Sequence, residues 1–294
     1  MRILTNPGAN LPPVLIERYD IVMTSSTIVV DGETHDTRDA VSLQQVDDWI
    51  ALANEHPYVL GTSAAEFVGH LVSMSKTQPD LLVVMSSSKI IPSYDAAISA
   101  IRTLEASKSA DTGRMRVLDS RSTDLGLGLL VVAAAELAQA GRNLDETVDS
   151  LEAMVQRGRF AVVPRTLENL VRGGKASFLR GWMANMLGVR PLLGFVDGEV
   201  QAVDKCSTRD DHPEVLADWF ARNVPGRRVW VGVSHGGVPV DAERLLELLR
   251  QRFEVVYAIV RPTSPTVYLH AGPGALGAMV CPLDDLPFVP PTPG

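Results

Sequence analysis

Leu81-Leu82-Val83-Val84-Met85-Ser86-Ser87-Ser88-Lys89 is the stretch whose reading decides the fold. Five apolar residues without polar alternation describe a strand buried on both faces, as in a parallel sheet. The run then breaks into three serines and a lysine. That places a polar loop at a strand's carboxyl end, where open α/β sheets hold their ligands. On the N-terminal side, Ser63 and Glu66 stand three apart in the form of a capping box. Residues 41–56 carry apolar side chains at helical spacing, with Asp39 as the candidate cap. Residues 2–5, 20–23 and 27–30 read as strands, Pro12 and Pro13 as a helix entry, and Asp31-Gly32 as a turn. On the C-terminal side follow a helix over 92–105, a strand over 116–119, a mostly apolar helix over 124–138 and a helix over 145–157. Strand–helix alternation predicts a parallel sheet covered on both faces, an α/β domain spanning 1–158.

The second half reads differently. A strand over 160–163 leads to a helix over 167–171, closed by Arg172-Gly173-Gly174-Lys175. An apolar helix over 176–187 comes next. Two strands flank Asp197-Gly198, a hairpin signal. A helix over 213–223, a strand over 228–233, a helix over 240–253 and a strand over 254–260 complete it. Together these predict an α+β domain over 159–283, with a mixed sheet and helices on one face. A Pro-rich tail occupies 284–294.

Composition narrows the function. The 294 residues are 46% hydrophobic and 21% charged, which describes a globular chain. A net charge of −8 argues against nucleic acid or an anionic membrane surface as the main partner. No apolar run is long enough to span a membrane. Two cysteines without a Cys/His cluster argue against structural zinc and for a reduced, cytoplasmic setting. The six histidines lack metal-ligand spacing; His35, His56 and His212 lie in polar stretches, as solvated residues do.

His270-Ala-Gly272-Pro-Gly274-Ala-Leu-Gly277 is the other chemistry-bearing stretch. It follows a β-prone run over 266–270 and precedes what reads as a short helix over 275–281. Glycines, a histidine and a helix N-terminus would suit a carboxylate or phosphate. The match to G-x-G-x-x-G lacks the βαβ context that dinucleotide binding needs. Ser86-x-x-Lys89 lacks the partner motifs of the penicillin-binding enzymes. No phosphate-cradling loop, nucleophile elbow or zinc-protease helix occurs. Hydroxyls at 62, 63 and 86–88 could meet His270 in a Ser/His pair, and Arg172 with Lys175 could clamp an anion or simply end a helix.

Taken in order, these stretches resemble the DegV family over residues 2–280. Asn10-Leu-Pro-Pro resembles its A-D-L-P-P, Thr62-Ser63 its T-S-Q-P, and Ser87-Ser88-Lys89 its S-S-K/G-L-S-G-T. Asp119-Ser120 with Gly126-Leu-Gly resembles D-S-x-x-x-x-x-G-L-G. Residues 166–177 resemble T-L-E-Y-L-x-R-G-G-R-I-S, and His270 to Gly277 matches H-x-G-P-G-A-L-G. The resemblance implies two domains with a ligand cleft between them and a bound fatty acid rather than a cofactor. Its acyl chain would lie in an apolar tunnel of the second domain. Its carboxylate would lie near Thr62, Ser87, Ser88, Lys89 and His270, with Arg172 and His270 orienting it. The motifs add Gly126, Gly272 and Gly274 to the site. The resemblance also implies a partner kinase subunit that phosphorylates the carboxylate, with no ATP site on this chain. Two departures stand out. The family's Asp-Ser-Thr is here Asn6-Pro7-Gly8, and its carboxylate-holding serine falls on Ile91, which cannot donate a hydrogen bond. Ser63, Ser88 or Ser93 would have to replace it, or the ligand differs. The alternatives are a Ser/His hydrolase and a diverged binder of a small anion.

Overall fold

The computed structural model describes residues 1–37, 41–107, 113–174 and 188–294. The first half runs β1 (Arg2–Thr5), a 3-10 turn (Pro7–Ala9), α1 (Pro13–Arg18), β2 (Val22–Met23), β3 (Thr27–Val30), β4 (Glu33–Asp36) and α2 (Leu43–Leu52). It continues with β5 (Tyr58–Leu60), α3 (Ala64–Ser75), β6 (Asp80–Met85), α4 (Ser93–Ser107), β7 (Arg114–Asp119), α5 (Leu125–Gln139) and α6 (Leu144–Arg157). The second half runs β8 (Arg159–Val163), α7 (Glu168–Arg172), β9 (Val189–Val196), β10 (Glu199–Ser207), α8 (His212–Asn223), β11 (Arg228–His235), α9 (Pro239–Arg252), β12 (Glu254–Pro262), α10 (Pro265–Ala271) and β13 (Leu276–Pro282). The helix expected over 176–187, the Asp39 cap and Lys175 lie outside the described residues.

The strands before residue 120 form a four-stranded parallel sheet, β2-β1-β6-β7. Its pleat sends Leu4, Leu81, Val83 and Met85 to one face, where Phe67, Leu71 and Ile101 of α3 and α4 meet them. Ile3, Leu82 and Val84 go to the other face, against α5 and α6. The strands after residue 158 form a mixed sheet, β10-β9-β8-β13-β11-β12, whose β11–β12 pair is parallel. Ala161, Val163, Leu192, Val231 and Val233 pack one face of it on α8 and α9.

α5 explains how the two sheets join. Leu125 through Leu137 are all buried, because the helix lies between both sheets and has no solvent side. Trp230, Ile259 and Met279 of the mixed sheet share one core with Ile3 and Leu82 of the parallel sheet. The approach is close enough that a Cβ at Gly232 would lie 2.7 Å from Leu125 Cβ. α5 therefore covers the β13–β11 half of that face and leaves the β8–β9–β10 half to something else. The tail lies against α6: Leu286 is buried, and the Phe288 N–H donates to Ser150 Oγ at 3.0 Å.

Several local expectations are corrected. The run over 266–270 is helical, not β, and 275–281 is the central strand β13, not a helix. Pro265 begins α10, and Tyr268 and Leu269 are held in it by packing on Ile28, Val46 and Ile50. A run buried at every position from Leu276 to Pro282 belongs inside a sheet. Ser42, not a residue before it, caps α2, which ends at Leu52; β5 follows and joins β3 and β4 in a small antiparallel sheet not foreseen. Only half of the Ser63 box forms, since Glu66 instead accepts from the N–H and hydroxyl of Ser25. His56 and His212 are half-buried rather than solvated, and burial lowers the pKa of both.

Candidate functional site

The half of the mixed sheet that α5 does not cover faces a cavity of about 770 Å³, within the range of ligand pockets. Alternation on three antiparallel strands makes its wall: Phe160 and Val162 on β8, Leu193 and Phe195 on β9, Val200 and Ala202 on β10. Val200 stands opposite Phe195, Ala202 opposite Leu193, and Leu193 beside Val162, so the six form one apolar patch. Leu170 of α7, Val267 and Ala271 of α10, Val59 of β5, and Ile90 and Ile91 complete the apolar lining. Both sheets bring their carboxyl ends to the remaining side. Asn6 follows β1, Ser86 follows β6, and Thr123 and Asp124 come after β7; Ser234 and His235 end β11, and Thr263 follows β12. The cavity is therefore amphipathic.

Asp124 ties this polar end together. Its carboxylate accepts from Asn10 Nδ2 and from Thr263 Oγ1, and Asn10 also donates to the Pro262 carbonyl at 3.0 Å. The cluster joins residues of both sheets. Complete burial pushes the Asp124 carboxyl up to about 6, against the pull of those donors. Asp124 holds φ at 52°, a conformation that only tight surroundings maintain. His235 is 7% exposed and its Nδ1 accepts from the Val238 N–H at 3.2 Å. It thus lines the cavity and caps the turn into α9; burial lowers its pKa. Among the described residues no cluster of His, Cys, Asp and Glu could hold a metal, and no helix is long and apolar enough to cross a membrane.

Residues 1–283 match the model of a family described as an uncharacterised protein, DegV family. The chain belongs to the DegV family. A DegV domain-containing protein of Mycobacterium tuberculosis is 28% identical over 280 residues, 95% of this chain and 96% of that one. One from Caldanaerobacter subterraneus is 26% identical over 277 residues, 94% and 96% of the two chains. Among solved structures, a DegV family protein from Thermus thermophilus described by its fatty acid binding superposes with a TM-score of 0.87 at 22% identity, covering 96% of this chain and all (100%) of that one. DegV of Bacillus subtilis, described as a fatty acid binding protein, gives 0.81 at 23%, covering 95% and 98%. These structures share the two-sheet fold.

The DegV motif residues divide sharply in space. Lys89 and His270 line the cavity. The hydroxyls expected beside them are engaged elsewhere. Thr62 donates to the Ser25 carbonyl at 2.7 Å, and its N–H donates to Ser93 Oγ at 3.1 Å. Ser63 caps α3. Ser87 donates to the Gly198 carbonyl at 2.7 Å, linking the β6 loop to the β9–β10 turn, and Ser88 donates to Asp119 at 2.7 Å. Arg172 lies on the outer side, 3.9 Å from Glu168. His56 stands 6.4 Å from His270, ring to ring. Gly126 admits the Ser122 hydroxyl, which would lie 2.1 Å from a Cβ there. Gly272 and Gly274 adopt φ of 72° and 74°, forming the turn from α10 into β13, while their neighbours Ala271 and Ala275 line the cavity. Asn6, Thr123, Asp124 and Thr263 were missing from the sequence-derived set, which did hold the Ser86 hydroxyl. One signal could have found them: each lies at or just past the carboxyl end of a strand.

Proposed function

We propose that this chain binds one long-chain fatty acid in the cavity and presents its carboxylate to a partner kinase subunit, in the cytoplasm. The observation that supports the binding reading is the six-residue apolar patch on β8–β10, continuous across three strands and facing the cavity. Each acyl methylene buried there would contribute about 0.8 kcal/mol. Solved relatives described as fatty acid binding proteins, with the same fold, lend it weight. The kinase reading rests on the sequence resemblance: a carboxylate oxygen would take the γ-phosphoryl group of ATP and ADP would leave, on machinery supplied by the partner. A hydrolase built on His270 gains nothing from Ser87, Ser88 or Ser93, whose hydroxyls serve their own loops.

The test is direct. Purified protein is extracted with organic solvent and the extract weighed by mass spectrometry. We expect a long-chain acid at one per chain, and none from protein stripped on an apolar resin until acid is added back. An extract without lipid, from protein that also refuses added acid, would overturn the reading. For the kinase step, loaded protein incubated with a DegV-associated kinase subunit and ATP should yield a hydroxylamine-trappable acyl phosphate.

A further inference from the structure

Asn6 stands at the N-cap of the Pro7–Ala9 turn, yet its side chain does not cap it. An asparagine there ordinarily accepts from the backbone two or three residues on. Here the side chain crosses to the next strand, and Oδ1 accepts from Ser86 Oγ at 3.2 Å. With Oδ1 on Ser86, the NH2 group is turned away from Ser86. Asn6 is only 3% exposed and lines the cavity. Its two N–H donors meet no acceptor among the described residues. Thr123, 9% exposed, also lines the cavity, and its hydroxyl makes no hydrogen bond among the described residues.

Gly8 places these groups around one point. A Cβ there would lie 2.9 Å from Ser86 Oγ, 3.2 Å from Asn6 Oδ1 and 3.6 Å from Thr123 Oγ1. The three side chains converge on the backbone position that carries none. Asp124 is already engaged, accepting hydrogen bonds from the Asn10 and Thr263 side chains and from the backbone N–H groups of Leu125 and Ser264. Its charge is felt by the half-buried Arg261 guanidinium. Of the groups at this end of the cavity, the Asn6 NH2 and the Thr123 hydroxyl can donate to a ligand.

We propose that Asn6 is the head-group anchor of this chain: its amide NH2, with the Thr123 hydroxyl, donates hydrogen bonds to the carboxyl oxygens of the ligand. The assignment rests on the fatty-acid reading above. It also accounts for an isoleucine at position 91, which lines the cavity as part of its apolar wall.

The test is isothermal titration of hexadecanoic acid and hexadecanol into stripped wild-type protein and the Asn6→Asp variant at pH 8. The variant keeps the shape of the side chain and replaces two donors by an acceptor of like charge. The acid should lose roughly 10- to 100-fold in affinity, the equivalent of one or two charge-assisted bonds. The alcohol, which can donate its own proton, should change by less than about threefold. Thr123→Val should show the same selectivity at smaller size, and serves if Asn6→Asp does not fold, as judged by its melting temperature. Acid affinity unchanged in a folded Asn6→Asp or Thr123→Val protein would overturn the anchor and leave the fatty-acid reading standing. Wild-type protein that binds neither ligand would overturn both.

Discussion

Ala202→Phe should shorten the acid this chain prefers. Ala202 is half-buried on β10, directly across from Leu193, and faces the cavity rather than the α8–α9 core. A phenylalanine suits a strand, so folding should be untouched. Its ring would occupy the space of about four acyl methylenes, and at about 0.8 kcal/mol each the loss is about 3 kcal/mol. That is roughly a 100-fold weaker complex for the longest acids. Acids short enough to stop before the ring should bind both proteins alike. Calorimetric titration of a series of saturated acids reads the effect. In the wild type each added methylene should tighten binding by about fourfold. In the variant the gain should stop part-way along the series. A variant that folds, yet follows the wild-type dependence to the longest acid, would refute the placement of the chain against β8–β10.

Other predictions are narrower. Asp124 has a folded-state pKa of about 6 against an ordinary 3.8, so its contribution to stability is complete below pH 3.8 and is lost as pH rises through 6. Wild-type stability should therefore fall by up to about 3 kcal/mol between pH 4 and pH 8 through this group alone. Asp124→Asn should flatten that part of the profile in urea titrations at each pH; an unchanged slope with pH would contradict it. Ser87→Ala strands the Gly198 carbonyl and the Lys89 N–H, both of which the hydroxyl serves. The expected cost is about 1–3 kcal/mol, seen as a lower urea midpoint at constant slope. Gly128→Ala would bring a Cβ within 2.4 Å of the Ala9 carbonyl. The overpacking cost of about 1–3 kcal/mol should outweigh the gain in helix propensity of about 1 kcal/mol. Because the displaced turn begins at Asn6, ligand affinity should fall along with melting temperature.

The fold was legible wherever one periodicity dominated. The unbroken apolar run at 81–85 could only be a doubly covered strand, and Asp197-Gly198 between two β-prone runs could only be a hairpin. Residues 266–281 were misread because local preference opposed tertiary context. Thr266, Val267 and Tyr268 favour strands, yet a prolyl start and the packing of Tyr268 and Leu269 on Ile28, Val46 and Ile50 hold the segment helical. Of the small β4-β3-β5 sheet only the strand over 27–30 was read; β4 and β5, four and three residues long, gave too short a pattern. At the site, a hydroxyl's identity says nothing of its direction. Thr62, Ser87, Ser88 and Ser93 all lie near the cavity in sequence logic, and each closes a loop of its own. Asn6 looked like a lost acid; its amide gained meaning only once Ser86 was seen to turn it.

Photolabelling tests the central placement most directly. A long-chain acid with a diazirine near its methyl end is irradiated with the stripped protein and the labelled peptides are mapped. Label confined to peptides holding Phe160–Val162, Leu193–Phe195 and Val200–Ala202, and displaced by unlabelled acid, is the predicted result. Label on α8 or α9 instead, or none that competitor removes, would contradict the account.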